Sequence, residues 1–185
     1  MSVKRLFALP LLALPLLSQE AAKSTNPFEF QATGIIANGD MNKMVRSGNL
    51  AGYALGFAVR SELKPGLNTR LHGSFMSLRG ANGTGMENPS RPHVNVGIDV
   101  LQDVGAKWGF FGGLTGTYWK QSLVTNTLPS FSGANSVNGL KLGFRVGAEY
   151  AFSNTVRGQF AFNQAEFNKL LNPSWYSLGV VYRFQ

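Results

Sequence analysis

His72 and Ser74 stand two residues apart, a spacing that puts both side chains on one face of an extended strand. With His93 and Asp99 on the apolar stretch that follows, the set holds the parts of an activated nucleophile: a hydroxyl, an imidazole base and an acid to orient it. Two residues share a strand face so readily that satisfied interior residues are the preferred reading. A second group is ionic: Glu29, Arg60, Glu62, Arg70, Asp99, Lys141, Arg145, Glu149, Arg157 and Arg183. Confined together, such groups must pair, because an isolated buried charge costs several kcal/mol. Their expected role is a structural salt-bridge network, with a continuous ion pathway as the alternative. Other motifs lead nowhere. The glycines of GANGTG, residues 80–85, do not open a helix, no phosphate-binding G-x-x-x-x-G-K-[ST] occurs, and two His without carboxylates at ligand spacing predict no metal site. No catalytic residue and no cofactor is expected.

Composition narrows the setting in which these residues work. Of 185 residues 44% are apolar and only 14% charged, which would leave a soluble surface short of charge. The absence of Cys excludes a disulfide framework, a thiolate site and a lipidated cysteine. A net charge of +8 would suit nucleic acid, yet the basic residues of the body of the chain are scattered singly, so nucleic acid is not expected as a partner. The N-terminus places Lys4 and Arg5 before an apolar run, Leu6 to Leu17, and then small and polar residues. That order predicts a secretory signal peptide over residues 1–22, cleaved between Ser18 and Ala22, and the run is too short to span a bilayer as a helix. One domain, residues 23–185, follows.

Within that domain the dominant period is two. Alternation predicts strands over Phe28–Ala37, Leu50–Glu62, Leu67–Arg79, Pro92–Leu101, Lys107–Trp119, Asn138–Phe152, Val156–Phe167 and Trp175–Phe184. Connections after the second, fourth and sixth are tight, around LKPG, DVGA and SNT. Those after the first, third and fifth are long and rich in Gly, Asn and Ser, and the last, around NKLLNPS, is intermediate. Antiparallel neighbours joined in this way gather the short turns at one end and the long loops at the other. The expected fold is all-β, an eight-stranded antiparallel up-and-down transmembrane β-barrel of a bacterial outer membrane.

Alternation alone does not say which row faces water. Its contents do. One row of the sixth strand carries Gly139, Lys141, Gly143, Arg145, Gly147 and Glu149, and the other Leu140, Leu142, Phe144, Val146, Ala148 and Tyr150. In the fifth, Gly109, Phe111, Gly113, Thr115 and Thr117 oppose Trp108, Phe110, Leu114 and Tyr118. Small and ionic side chains suit the narrow lumen of eight strands, whereas the bulky row would aggregate in water and suits hydrocarbon. Tyr118, Tyr150, Phe152, Tyr176, Tyr182, Phe184 and Trp108 fall near strand ends, where amphipathic rings settle at membrane interfaces.

These features together resemble the small OmpA/OmpX-type outer-membrane barrels. The resemblance implies that the final strand, through Tyr176, Leu178, Val180, Tyr182 and Phe184, is the signal read by the barrel-insertion machinery; Gln185 follows it. Because the chain stops there, the peptidoglycan-binding domain of longer relatives is not expected. His72 and Ser74 also resemble the His-x-Ser arrangement of outer-membrane lipid A deacylases, although strand parity turns both into the lumen, away from lipid. By this topology the long loops hold Lys43, Arg46, Arg79, Arg91, Lys120 and Lys169 against Asp40, Glu87 and Glu166. That excess of base favours outer-membrane lipid and lipopolysaccharide as partners of a monomer, though it also fits a solvated surface with no partner. A structural or surface-interactive barrel, a narrow pore and a lipid-modifying enzyme all stay open.

Overall fold

The computed structural model describes residues 26–38, 50–80, 93–122, 136–165 and 172–184. The leader over residues 1–22, and the loop residues Asp40, Lys43, Arg46, Glu87, Arg91, Glu166 and Lys169, lie outside the described residues.

Eight strands form a single closed barrel in sequence order: β1 (Phe28–Asn38), β2 (Leu50–Lys64), β3 (Leu67–Gly80), β4 (His93–Val104), β5 (Trp108–Ser122), β6 (Ser136–Ala151), β7 (Val156–Ala165) and β8 (Ser174–Arg183). Every pair is antiparallel, and β1 closes the ring against β8 over a register running from Glu29↔Arg183 to Asn38↔Ser174. Closure satisfies the backbone groups that a sheet edge would otherwise expose to hydrocarbon at several kcal/mol each. The strands run past the expected limits at several ends. β4 continues to Val104 and β5 to Ser122, so Lys120 belongs to a strand rather than to a loop, and Arg79, counted both at the end of the third strand and with the loops, lies within β3.

Turn chemistry explains the tight connections. Pro65 and Gly66 sit between β2 and β3, and Gly66 has φ 76°, the left-handed backbone that Gly adopts after Pro in a type II turn. Gly105, with φ 64°, does the same between β4 and β5. Between β6 and β7 the Ser153 hydroxyl accepts the amides of Thr155 and Val156 at 3.3 and 3.0 Å. All three turns lie at one end of the barrel.

The exterior is the bulky row throughout. Along β6, Leu140, Leu142, Phe144 and Val146 are exposed while Arg145 and Glu149 are buried. Along β8, Tyr176, Leu178, Val180 and Tyr182 are exposed, whereas Trp175, Ser177 and Val181 are buried. Leu142 at 72% and Leu114 at 70% lie open on the outer wall, a disposition that a hydrocarbon solvent makes favourable. Rings cluster at the turn end of this surface, with Trp108 and Tyr150 4.9 Å apart and Tyr182 and Phe184 5.3 Å apart. Among the described residues no helix is long and apolar enough to cross a membrane, which says nothing of crossing by strands.

Candidate functional site

The inner rows divide by chemistry along the barrel axis. At the turn end, charge accumulates because seven of the eight strands, all but β5, deliver ionic residues to one cluster. Glu29 of β1 lies opposite Arg183 of β8 and accepts from its Nε at 3.0 Å. The Nε of Arg60, from β2, is 2.8 Å from the same carboxylate oxygen, and its Nη2 donates to Glu149 Oε2 at 2.7 Å. Arg70 of β3 donates through Nε to Asp99 Oδ2 at 3.0 Å and through Nη1 to Glu149. Arg145 of β6 grips the same Asp99 in two places, with Nε to Oδ1 at 2.8 Å and Nη2 to Oδ2. Gln159 adds a neutral donor to Glu149 at 3.1 Å. The Arg70 and Arg145 guanidinium carbons both lie over the Phe111 ring, 4.8 and 5.0 Å from its centroid. Arg70 and Asp99 are wholly buried, so each depends on its partners for the solvation that water would otherwise supply.

Inward glycines leave the space these large groups fill. A Cβ on Gly113 would lie 2.2 Å from the Ile98 carbonyl oxygen and 2.4 Å from Asp99 Oδ1; one on Gly147 would meet the tip of Phe111 at 2.5 Å. Substituting Gly113→Ala therefore drives a methyl into backbone and into the carboxylate that holds two arginines. The expected loss is about 1–3 kcal/mol of unfolding free energy, the range for overpacking, read from urea unfolding of the barrel in lipid vesicles. Gly112→Ala, whose Cβ would make only ordinary contacts on the outer face, is the control that should change little.

Above the ions lies a small polar chamber. Gln31, Ser74, Asn95, Asn163, Ser177 and the upper side of Arg145 line a cavity of about 40 Å³, room for about three waters. Asn95 donates to Thr117 at 2.7 Å, and Asn163 to Ser177 at 3.1 Å, so part of the wall is hydrogen-bonded and polar, while Ile35, Ala54, Met76 and Trp175 make the rest of it apolar. At the loop end the lumen turns apolar. Trp119, Trp175, Met76 and Leu78 are buried there, Trp119 with no exposure, and His93 packs on Trp119 with ring centroids 4.5 Å apart.

The expected site residues are not all brought together. Glu29, Arg60, Arg70, Asp99, Arg145, Glu149, Arg157 and Arg183 form one cluster. Glu62 does not join the buried lumen as expected. It is exposed, because β2 outruns β1, whose pairing ends at Phe28↔Val59, and passes through an irregularity between Glu62 and Lys64. Lys141 is half-buried in the loop-side part of β6 opposite Thr117, remote from the cluster along the strand. Tyr176, Leu178, Val180, Tyr182 and Phe184 all project outward. His72 Nε2 is 3.7 Å from Asp99 Oδ1, but that acid is already held by Arg70 and Arg145. Among the described residues no hydrogen bond joins His72 to Ser74, and His93 is engaged with Trp119 instead. No group of three or more potential metal ligands occurs among the described residues.

Three participants escaped the sequence reading. Asp103, 3.4 Å from Arg157, lies beyond the expected end of the fourth strand; extending the alternation of Asp99 and Leu101 by two residues would have found it. Phe111 and Trp119 share the small-residue row, and nothing in that pattern marks one as a cation-contacting ring and the other as part of an apolar cap.

The pattern of the outer membrane protein beta-barrel domain matches residues 9–184. No curated protein sequence matches the chain. Among solved structures, the chain is similar to Ail, the attachment invasion locus protein of Yersinia pestis, at 12% identity and TM-score 0.50, over 85% of this chain and 96% of that one. It is similar to neisserial surface protein A at 15% identity and TM-score 0.49, over 88% and 100%. The outer membrane protein OprG of Pseudomonas aeruginosa is 12% identical with TM-score 0.47, over 91% and 99%.

Proposed function

Since the chain belongs to the outer membrane protein beta-barrel domain family and resides in the bacterial outer membrane, we propose that it is a non-conducting, non-enzymatic barrel that works through its long loops. The observation that carries this reading is the filled lumen. Ion pairs occupy its turn-side half and packed rings its loop-side end, while the chamber between them has room for about three waters. A hydrated ion would have to displace Arg70 and Arg145 from Asp99, separating a buried pair that each partner needs. Hydrolysis is disfavoured by the placement of His72 and Ser74, which face this interior and not the lipid. The five exposed side chains Tyr176, Leu178, Val180, Tyr182 and Phe184 form a continuous outward row in the final strand, which suits a role as the insertion signal.

The loop end is the surface through which it would meet large partners. Lys43, Arg46, Arg91 and Lys169, with Arg79 and Lys120 on adjoining strand ends, outnumber Asp40, Glu87 and Glu166. Such a surface attracts lipopolysaccharide phosphates and other acidic polymers. Ail, with the same fold, has a structure in complex with the heparin analogue sucrose octasulfate, which shows a polyanion held by a barrel of this kind. The test combines two measurements on the detergent-folded protein. Planar bilayers should show no ion conductance above background. Immobilised heparin and lipopolysaccharide should retain the protein, with retention falling as salt rises and lost when Lys43, Arg46 and Arg91 are changed to Glu. Steady conductance, or retention indifferent to charge reversal, would overturn the reading.

A further inference from the structure

The turn-side cluster is not electrically balanced. Arg60, Arg70, Arg145, Arg157 and Arg183 face Glu29, Asp99, Asp103 and Glu149, five guanidiniums against four carboxylates. The surplus is not shared evenly. Arg70 and Arg145 hold Asp99 between them in the barrel interior, and Arg70 also reaches Glu149. The remaining three arginines, on β2, β7 and β8, share their acceptors, and Arg157 and Arg183 stand at the turn-side ends of their strands. Arg60 and Arg183 both approach Glu29 Oε1, at 2.8 and 3.0 Å, and Arg60 and Arg157 both approach Glu149 Oε2, at 2.7 and 3.7 Å. Contact with common oxygens forces three like charges side by side.

Among the described residues each of the three also keeps a buried N–H group with no hydrogen-bond partner, Arg60 Nη1, Arg157 Nε and Arg183 Nη2, and the one carboxylate oxygen of the cluster in the same condition, Glu29 Oε2, lies 3.8 Å from Arg70 Nη1. The side chains of Arg60 and Arg157 are only 8% and 7% exposed, and that of Arg183, nearest the mouth, 12%. An unmade hydrogen bond from a buried cation is costly, and three in contact with one unmatched positive charge make a cradle for a negative one. Guanidinium is suited to this task because its planar fork donates paired bonds to an oxyanion, whereas a spherical halide uses the fork poorly.

We propose that Arg60, Arg157 and Arg183 form a binding site for one small oxyanion, a phosphate or carboxylate, entered from the turn-side mouth. Short turns of such barrels face the periplasm, so the ligand is a periplasmic solute and not lipopolysaccharide. The arginines point into the lumen, which excludes a phospholipid headgroup held in its bilayer. The site is independent of the loops and of whatever they bind.

The test uses the isotope-labelled full chain folded in maltoside micelles, free of phosphate. Inorganic phosphate, acetate and chloride are titrated at constant ionic strength while the arginine Nε–H resonances are followed. Phosphate should shift the Arg157 signal saturably, acetate should do so more weakly, and chloride should not saturate. Arg183→Lys retains the charge but loses the fork, and should weaken phosphate binding by about tenfold, the effect of removing one charge-assisted hydrogen bond. Heat-modifiable migration in gels establishes that the variant is folded; if it is not, the wild-type titration decides alone. Linear shifts that are the same for all three anions, or unchanged affinity in folded Arg183→Lys, would overturn the proposal.

Discussion

Glu149→Ala is expected to lower the unfolding free energy of the barrel by about 3–5 kcal/mol, the range for removing one partner from a buried ion pair. Glu149 is the junction of the turn-side cluster. It accepts from Arg60, Arg70 and Gln159 and lies 3.7 Å from Arg157, so its loss strips three cations of a shared counter-charge at once. The alanine itself adds nothing unfavourable to a strand wall. What remains is a set of buried guanidiniums with two fewer acceptor oxygens. Glu149→Gln should retain most of the defect, because it preserves shape and removes charge. Glu62→Gln, on the exposed end of β2, should be nearly silent. Urea unfolding in lipid vesicles, followed by the fluorescence of buried Trp119 and Trp175, measures all three. A loss below about 1 kcal/mol for Glu149→Ala, the level of an exposed pair, would mean that water penetrates the cluster and that it does not hold the lumen closed.

The second large effect is expected on the outside. Leu114 is 70% exposed in the middle of β5, flanked by Ile98 on β4 and Phe144 on β6, both outward. In water, arginine at such a position would be harmless or even favourable. In hydrocarbon its charge must be desolvated or dragged toward the interface, and Leu114→Arg should cost about 2–4 kcal/mol near the bilayer midplane. Val104→Arg, on the same outer row but at the turn end of β4, should cost no more than about 1 kcal/mol, as is usual near the interface. The same unfolding measurement serves. Equal and small effects at both sites would mean that the bulky surface is not in contact with lipid.

Much of this architecture was legible from the chain. Period-two alternation is a local property, and two rows as different as Leu140–Leu142–Phe144–Val146 and Gly139–Lys141–Gly143–Arg145 can be read without knowing any neighbour. Turn chemistry is equally local: Pro65-Gly66 and Gly105 announce tight reversals, and the contrast between them and the long Gly- and Asn-rich connections orders the strands around a ring. The family resemblance drawn from these features agrees with the match over residues 9–184.

The interior was only half legible. Parity puts a residue inside but says nothing of its level along the axis, which depends on the stagger between neighbouring strands. Glu62 and Arg60 share a row of β2, yet one is exposed and the other is bound to Glu29 and Glu149, because β1 ends where it does. Asp99 sits near His72 in register, as a catalytic acid would, but it is claimed by arginines from β3 and β6. The chain by itself therefore determined that there are eight strands, which row meets lipid and which charges turn inward, since these follow from period and composition. Only closure of the barrel decided which charges meet, because ion pairing between β2, β6 and β7 is set by shear and by distances across a lumen that no stretch of sequence contains.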